Sequence, residues 1–199
     1  SPSSALIFGI MISIIGIWWL YVMANPVASF WVAFSVLFYV FVYSMWLKRT
    51  SPQNIVIGGI AGSTPPLVGW SASEGSLDIS YDSLWSVFES VTEIGSVMPW
   101  LMFLVIFLWT PPHFWALALY KSKEYEEVGV PMMPNVKGKS RTILEMKIYS
   151  VALMIVSFYA PIARGHLEDI DPLYHVLRWS CFLLTGWYAS TVWRIDINE

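Results

Sequence analysis

In a chain of 199 residues that is 56% hydrophobic and only 13% charged, there is too little polar material to coat a soluble globule, and a bilayer is the natural solvent. A formal net charge of −3 with no basic stripe argues against nucleic acid as a partner. A single cysteine, Cys181, excludes both an intrachain disulfide and a cysteine-based metal cluster.

The opening Ser1-Pro2-Ser3-Ser4 runs into apolar sequence without an initiator methionine or a charged leader. It reads as a cut end rather than a signal peptide. The residues after Arg194 carry no recognisable tail, so truncation is expected at both termini. Between them, a window of about 19 residues finds apolar runs at 5–23, 27–46, 54–72, 97–120, 143–162 and 173–193, designated spans A to F. Each is long enough to cross a hydrocarbon core of about 30 Å as a helix, the form that satisfies its own backbone groups where no water can. The expected architecture is an all-α, polytopic transmembrane helix bundle forming a single domain over 1–199. Turn chemistry at Asn25-Pro26, Ser51-Pro52, Gly75, Gly138 and Asp171-Pro172 separates the spans.

Alternate connections of such a bundle share a side. Lys48 and Arg49 follow span B, Lys121, Lys123, Lys137, Lys139 and Arg141 follow span D, and Arg194 follows span F, whereas the opposite connections hold only Arg164. The basic side is therefore expected to face the cytoplasm, or the matrix of an organelle. The other side is acidic, with Glu74, Asp78, Asp82, Glu89 and Glu93 in one long connection and Glu168, Asp169 and Asp171 in another. Trp18, Trp19, Tyr21, Trp46, Trp70, Trp100, Trp115, Tyr120 and Trp193 lie near span ends, as an aromatic belt at the headgroup boundary requires. Gly58 and Gly62 in span C, four apart, predict close helix approach rather than chemistry. The 73–96 connection holds Leu84, Trp85, Val87, Phe88 and Val91 among acidic residues, and reads either as a short helix on the membrane surface or as a disordered acidic loop.

Two features are odd for lipid-facing spans. Pro65-Pro66 in span C and Pro111-Pro112 in span D each remove helix donors, and the two together predict broken helices around an internal cavity. His113 follows the second pair. It reads either as a packed, hydrogen-bonded residue or as a group that ligates haem iron, holds a propionate or shuttles a proton. His175 and Arg178, three apart near the outer end of span F, are expected to snorkel, and His166, in a loop, has no assigned role. Lys48-Arg49-Thr50 and the stretch from Lys121 to Glu127 fall on the same side, next to the proline pairs. They read either as solvated positive-inside loops or as a site where cations neutralise a diphosphate and carboxylates hold magnesium.

Three blocks carry a resemblance: the stretch from Tyr43 through Lys48-Arg49-Thr50-Ser51-Pro52-Gln53-Asn54 to Gly58-Gly59, Pro65-Pro66-Leu67-Val68-Gly69-Trp70, and Phe107 through Thr110-Pro111-Pro112-His113 to Leu119. It continues through Glu124-Tyr125 and Gly129-Val130-Pro131-Met132-Met133-Pro134 to Lys137-Gly138. Together they resemble the protoheme IX farnesyltransferase (haem O synthase) family of the UbiA prenyltransferase superfamily. The resemblance implies a nine-helix bundle whose two acid-containing loops bind the magnesium diphosphate of an isoprenoid donor, this chain holding helices three to eight. It also implies that the first aspartate-rich motif and the last helix lie outside the chain, and that the chain by itself is incomplete as an enzyme.

The implied activity is transfer of a farnesyl group from farnesyl diphosphate to a vinyl group of haem B, giving haem O. The candidate catalytic residues are Lys123, Glu124 and Arg49, with Lys48, Arg49, Lys123 and Lys137 expected to bind the diphosphate, Glu124 to reach Mg2+ through it, and His113, Asn54, Tyr120 and Tyr125 to face haem or the cavity. The implied partners are farnesyl diphosphate, haem B, the lipid bilayer and haem A synthase. A bacterial inner membrane is the expected location, with the mitochondrial inner membrane as the alternative. Two departures stand out: Glu124 occupies a position where the family usually has aspartate, and the 73–96 connection is longer than usual. The rival readings are a superfamily member that prenylates an aromatic quinone precursor, a channel or carrier lined by broken helices, and a structural membrane subunit.

Overall fold

The computed structural model describes residues 1–159 and 172–195. Its first helix, α1 (Pro2–Met23), buries none of its residues within the chain and packs on α2 (Pro26–Leu37). The reversal between them is fixed by Asn25, which is buried. Its side-chain oxygen caps α2 by accepting from the Ala28 N–H at 2.9 Å, and its Nδ2 donates to the Ser71 carbonyl at 2.5 Å. Pro26 then sits where a helix has no use for an N–H.

Beyond Leu37 the rod widens into a π-helical segment, π1 (Phe38–Leu47), and closes with α3 (Lys48–Thr50). Ser51 leaves helical space, with φ −133° and ψ 136°, because the ring of Pro52 disfavours the α conformation before it.

Span C is two helices, α4 (Asn54–Gly62) and α5 (Pro65–Ser73), rather than one. Pro65 cannot donate to the Ala61 carbonyl. That carbonyl instead accepts from the Thr64 hydroxyl at 2.9 Å and from the Ser35 hydroxyl of α2 at 3.0 Å, so the break is satisfied inside the protein. The second proline pair behaves differently. Helix α7 (Met98–Tyr120) runs unbroken through Pro111 and Pro112, correcting the expectation of a second broken span. Both rings are buried, and leaving the helix there would strand further backbone groups away from water.

The acidic connection contains a helix, α6 (Leu84–Thr92), opened by a reciprocal cap in which Ser83 and Ser86 bond one another's backbone N–H. After α7 come two short helices, α8 (Ser122–Glu127) and α9 (Met133–Lys137). Gly138, at φ 83°, makes the turn into α10 (Lys139–Tyr159). Helix α11 (Pro172–Trp193) is the last described element.

Helix α7 is the hub, packing on α4, α5 and α10, while α10 carries α11 and α2 packs on α5. At one end Val27, Trp31, Leu67 and Ile94 form a core with Trp100 and Phe103. At the other end Trp115, Met133, Met146 and Val192 form a second core, and Ile55, Ala118 and Met132 a third. These clusters place the α3, α8, α9 and C-terminal α11 connections at the same end, as the charge pattern predicts.

The chain is all-helical among the described residues and is a multi-pass membrane protein. Four stretches are long and apolar enough to cross a bilayer: Pro2–Met23, Pro26–Thr50, Met98–Tyr120 and Lys139–Tyr159. Span C is not one of these single helices, because each of its halves has nine residues and reaches about 14 Å, but the two in succession run from the Ile55 cluster at the basic end to the Leu67 cluster at the other. Span F is present as α11. Its Arg178 lays its guanidinium over the Phe158 ring at 3.9 Å instead of simply extending outward. Span E is described to Tyr159 only, and Arg164, His166, Glu168, Asp169 and Asp171 lie outside the described residues. The aromatic belt needs one correction: Trp115 is fully buried against Met133 and Met146, so it is a core residue.

Candidate functional site

The basic end of the bundle is assembled by packing between distant segments. Ile55 opens α4, directly after Lys48, Arg49 and the Ser51-Pro52 turn, and packs with Ala118 of α7 and with Met132. Tyr125 and Val130 cover this cluster, which holds α8 beside the start of α4. Asn135 of α9 donates to the Ser122 carbonyl at 2.8 Å and ties α9 to α8. Lys48, Arg49, Lys123 and Lys137 are all exposed at this end, and none forms an ion pair with a carboxylate among the described residues. An array of unpaired cations is costly through self-repulsion and suits a polyanionic ligand.

Glu124 is differently engaged. Its carboxylate accepts from Lys121 at 2.9 Å in an exposed i,i+3 pair, which contributes little to stability. Among the described residues no group of three His, Cys, Asp or Glu side chains could hold a metal ion. Glu124 is exposed and paired with Lys121, and magnesium held mainly by a substrate diphosphate needs only one or two such carboxylates.

Between π1, α4 and α7 lies a cavity of about 360 Å³, lined by Tyr39, Tyr43, Ile55, Gly58, Gly59, Gly62, Ile106, Trp109, Thr110 and Phe114. Along α4 it extends from Ile55 to Gly62, about 10 Å, and along α7 from Phe114 to Ile106, about 12 Å. Its Ile55 end is the basic end. The glycines make the space, and of the Gly58/Gly62 pair only Gly58 serves the close approach that the spacing predicts, to the Tyr43 ring of π1. Gly59 lies in ordinary contact with Thr110, where a Cβ would meet Cγ2 at 3.4 Å, while Gly62 has nothing nearby and borders the cavity. The walls are apolar and aromatic, so the cavity can accept a hydrocarbon chain, and ring faces can stabilise a cation formed there.

Asn54, the first residue of α4, is 1% exposed, and neither Oδ1 nor Nδ2 has a hydrogen-bond partner. Burying an amide without partners is costly, and here it adjoins both the cavity residue Ile55 and the basic end. An amide so placed can bond a ligand or a bound water.

The other sequence-predicted residues are placed as follows. Tyr125 is half-buried on the Ile55 cluster, and Tyr120 is 86% exposed at the end of α7, outside the cavity. His113 is exposed, and its neighbours Trp109, Thr110 and Phe114 line the cavity in its place. Its ring stacks on Trp109 at 4.3 Å and meets Phe114 edge-on at 5.4 Å, so its partners are aromatic rather than polar. Sequence reasoning missed Tyr39, Tyr43, Trp109 and Thr110. Their i,i+4 spacing in π1 and adjacency to the proline pair were signals, but aromatic residues are too abundant here for either to stand out.

Comparison with known proteins bears on this arrangement. Over 194 residues the chain is 42% identical to a protein from Parvibaculum lavamentivorans named protoheme IX farnesyltransferase, covering 96% of this chain and 54% of that protein. It is 42% identical to protoheme IX farnesyltransferase 2 of Mesorhizobium japonicum, with coverage of 98% and 54%. It is 43% identical to protoheme IX farnesyltransferase of Bartonella tribocorum, with coverage of 100% and 57%. The chain thus spans about half the length of the curated relatives it matches. No solved structure matches it. The UbiA prenyltransferase family model matches residues 1–198, and the chain, a set of membrane helices around an apolar cavity with a cationic end, belongs to that family.

Proposed function

We propose that the protein to which this chain belongs transfers a farnesyl group from farnesyl diphosphate to a vinyl group of haem B, giving haem O. The carrying observation is the apolar cavity between π1, α4 and α7, whose Ile55 end lies beside the unpaired cations Lys48, Arg49 and Lys123. The relatives' shared name supports the choice of acceptor and donor.

In this reading the farnesyl chain lies in the cavity and its diphosphate meets the cations. The allylic C1–O bond breaks and diphosphate leaves with the electron pair. Lys48, Arg49 and Lys123 stabilise the charge gathering on it, with Lys137 at the rim. The rings of Tyr39, Tyr43, Trp109 and Phe114 shelter the allylic cation from water until the vinyl carbons attack C1. Water then adds to the cation left next to the porphyrin and a proton departs, which gives the hydroxyethylfarnesyl side chain.

Magnesium bound with the diphosphate would add charge neutralisation, as the family resemblance implies. Glu124, Glu126 and Glu127 of α8 are the carboxylates this chain offers beside Lys123, and Glu124 would reach the ion through the diphosphate. Asn54 is assigned to the buried neck between cavity and cations, where its free amide would hold a diphosphate oxygen or its water shell. His113 is assigned to the haem side, next to Trp109 and Phe114, and an unchanged haem absorption spectrum in a His113→Ala protein would remove it from that role.

The basic end faces the cytoplasm of a bacterial inner membrane, in keeping with the bacterial relatives. Haem A synthase is the proposed recipient of the product. The test is product analysis of the full-length protein in liposomes with farnesyl diphosphate and, separately, haem B or a hydroxybenzoate. Farnesylated haem is expected, and prenylated hydroxybenzoate alone would transfer the assignment to quinone-precursor prenylation.

A further inference from the structure

Helix α6 is amphipathic, and only one end of it is supported. Leu84, Phe88 and Val91, at i, i+4 and i+7, share one face. Along that face exposure rises from 4% at Val91 to 55% at Phe88 and 92% at Leu84. The Val91 end is seated on the bundle. Trp31 Nε1, in the second turn of α2, donates to the Val91 carbonyl at 3.0 Å, and Trp100 Nε1, in the first turn of α7, donates to the Thr92 carbonyl at 3.1 Å. Both tryptophans lie near the ends of membrane-spanning rods, so these bonds fix α6 at the level of the membrane boundary opposite the basic end.

The helix therefore overhangs the bundle rim. The apolar face that is buried by protein at Val91 continues outward over whatever surrounds the protein at that depth, and around a membrane bundle that is lipid. Trp85, 71% exposed, flanks this face with its ring 5.5 Å from Phe88, and Tyr81, 76% exposed, precedes the helix. Both ring types favour the headgroup boundary. Glu89 is exposed on the remaining face, and Glu93, just past the end of the helix, is exposed as well. No lysine or arginine occurs between Ser73 and Val97, while Glu74, Asp78, Asp82, Glu89 and Glu93 do, so attraction to anionic headgroups cannot hold this helix down.

We propose that α6 is a membrane-interface anchor that inserts Leu84, Trp85 and Phe88 among zwitterionic lipids of the leaflet opposite the basic end. It braces the entrance of α2 and α7 from outside the bundle.

The test uses the full-length protein in phosphatidylcholine nanodiscs, with Cys181 and every other native cysteine of that protein replaced by serine and nitroxide labels on Leu84→Cys, Phe88→Cys, Glu89→Cys and Glu93→Cys. All four sites are exposed, so labelling them does not challenge folding. Collisions with lipid-soluble oxygen are expected to exceed those with a water-soluble nickel chelate at 84 and 88, and the order to reverse at 89 and 93. Equal chelate access at all four positions overturns the proposal by placing the apolar face in water. Shielding of 84 and 88 from both reagents overturns it by revealing a protein cover, either another segment of the full-length protein or a second copy. Adding phosphatidylglycerol is expected not to raise oxygen contact at 84 and 88, and a rise would overturn the choice of zwitterionic lipid.

Discussion

The ring of Tyr43 occupies the space that a side chain at position 58 would need: a Cβ on Gly58 would stand 2.8 Å from Cε2 and 2.9 Å from Cγ of Tyr43. Tyr43 lies in the last turns of π1, whose wider winding re-aims side chains relative to an α-helix. Its ring is packed against Tyr39 at 5.2 Å and forms part of the cavity wall. The cavity's width near its basic end thus depends on the absence of one methyl group on α4.

Gly58→Ala in the full-length protein is expected to push the Tyr43 ring into the cavity, to destabilise the protein by about 1–3 kcal/mol as overpacking does, and to lower the proposed farnesyl transfer. Adding Tyr43→Leu to that variant should recover the stability, but not the product formation that the Tyr43 ring itself supports. Thermal unfolding and product formation across the double-mutant cycle measure the coupling, and simple additivity of the two substitutions would refute the contact.

Lys123→Ala and Arg49→Ala, made separately in the full-length protein, are expected to lower turnover on the order of 10²-fold each, as loss of a group that stabilises developing charge does. Haem affinity, read from absorbance titration, should hardly change. An equal loss of turnover and haem affinity would return both side chains to the role of solvated topology determinants.

Replacing Asn54 by leucine separates function from stability. Both of its amide atoms lack partners, so an apolar side chain of similar size is expected to leave the ligand-free protein as stable or to stabilise it by about 1 kcal/mol. Product formation should fall. Loss of stability with unchanged product formation would contradict a ligand-binding amide.

Asn25→Ala removes the cap on α2 together with the bond to the Ser71 carbonyl. A cost of about 1–3 kcal/mol in unfolding free energy is expected, since the buried carbonyl loses its partner as well. The proposed farnesyl transfer of the full-length protein, per folded molecule, should stay the same, because Asn25 lies at the end of the bundle opposite the cations. Melting curves in detergent and product yield normalised to folded protein check the two halves of this statement.

Glu124→Gln in the full-length protein frees Lys121 from its carboxylate partner while keeping the side-chain shape. If Glu124 serves mainly to hold Lys121, the variant should retain turnover within about tenfold with an unchanged magnesium requirement, one partner of an exposed pair being worth little. A shift of the magnesium dependence to higher concentration would instead assign the carboxylate to the metal diphosphate.

Much of the architecture was legible in the chain itself. The lengths of the apolar runs, the lysines and arginines after alternate spans and the turn at Asn25-Pro26 are local quantities, set by transfer of each segment into hydrocarbon and by the backbone limits of proline. The helix within 73–96 was legible as one of two alternatives, through alternating apolar and acidic residues. The proline pairs read alike in sequence but behave differently: Pro65 opens a new helix, whereas Pro111 and Pro112 are carried inside an unbroken one. Which outcome occurs depends on whether neighbours such as Thr64 and Ser35 take up the stranded carbonyl, and Ser35 comes from a helix that is distant in sequence.

From its sequence alone this protein was committed to a bilayer, to helices and to a cationic side, because hydropathy and charge act residue by residue. Tertiary structure alone decided that Trp115 is core rather than belt, that Asn54 is buried without partners, and that Tyr39, Tyr43, Gly58, Trp109 and Phe114 surround a common cavity. Burial and cavity shape arise where faces of π1, α4 and α7 meet, and the separation of those segments along the chain hides that meeting from any local pattern.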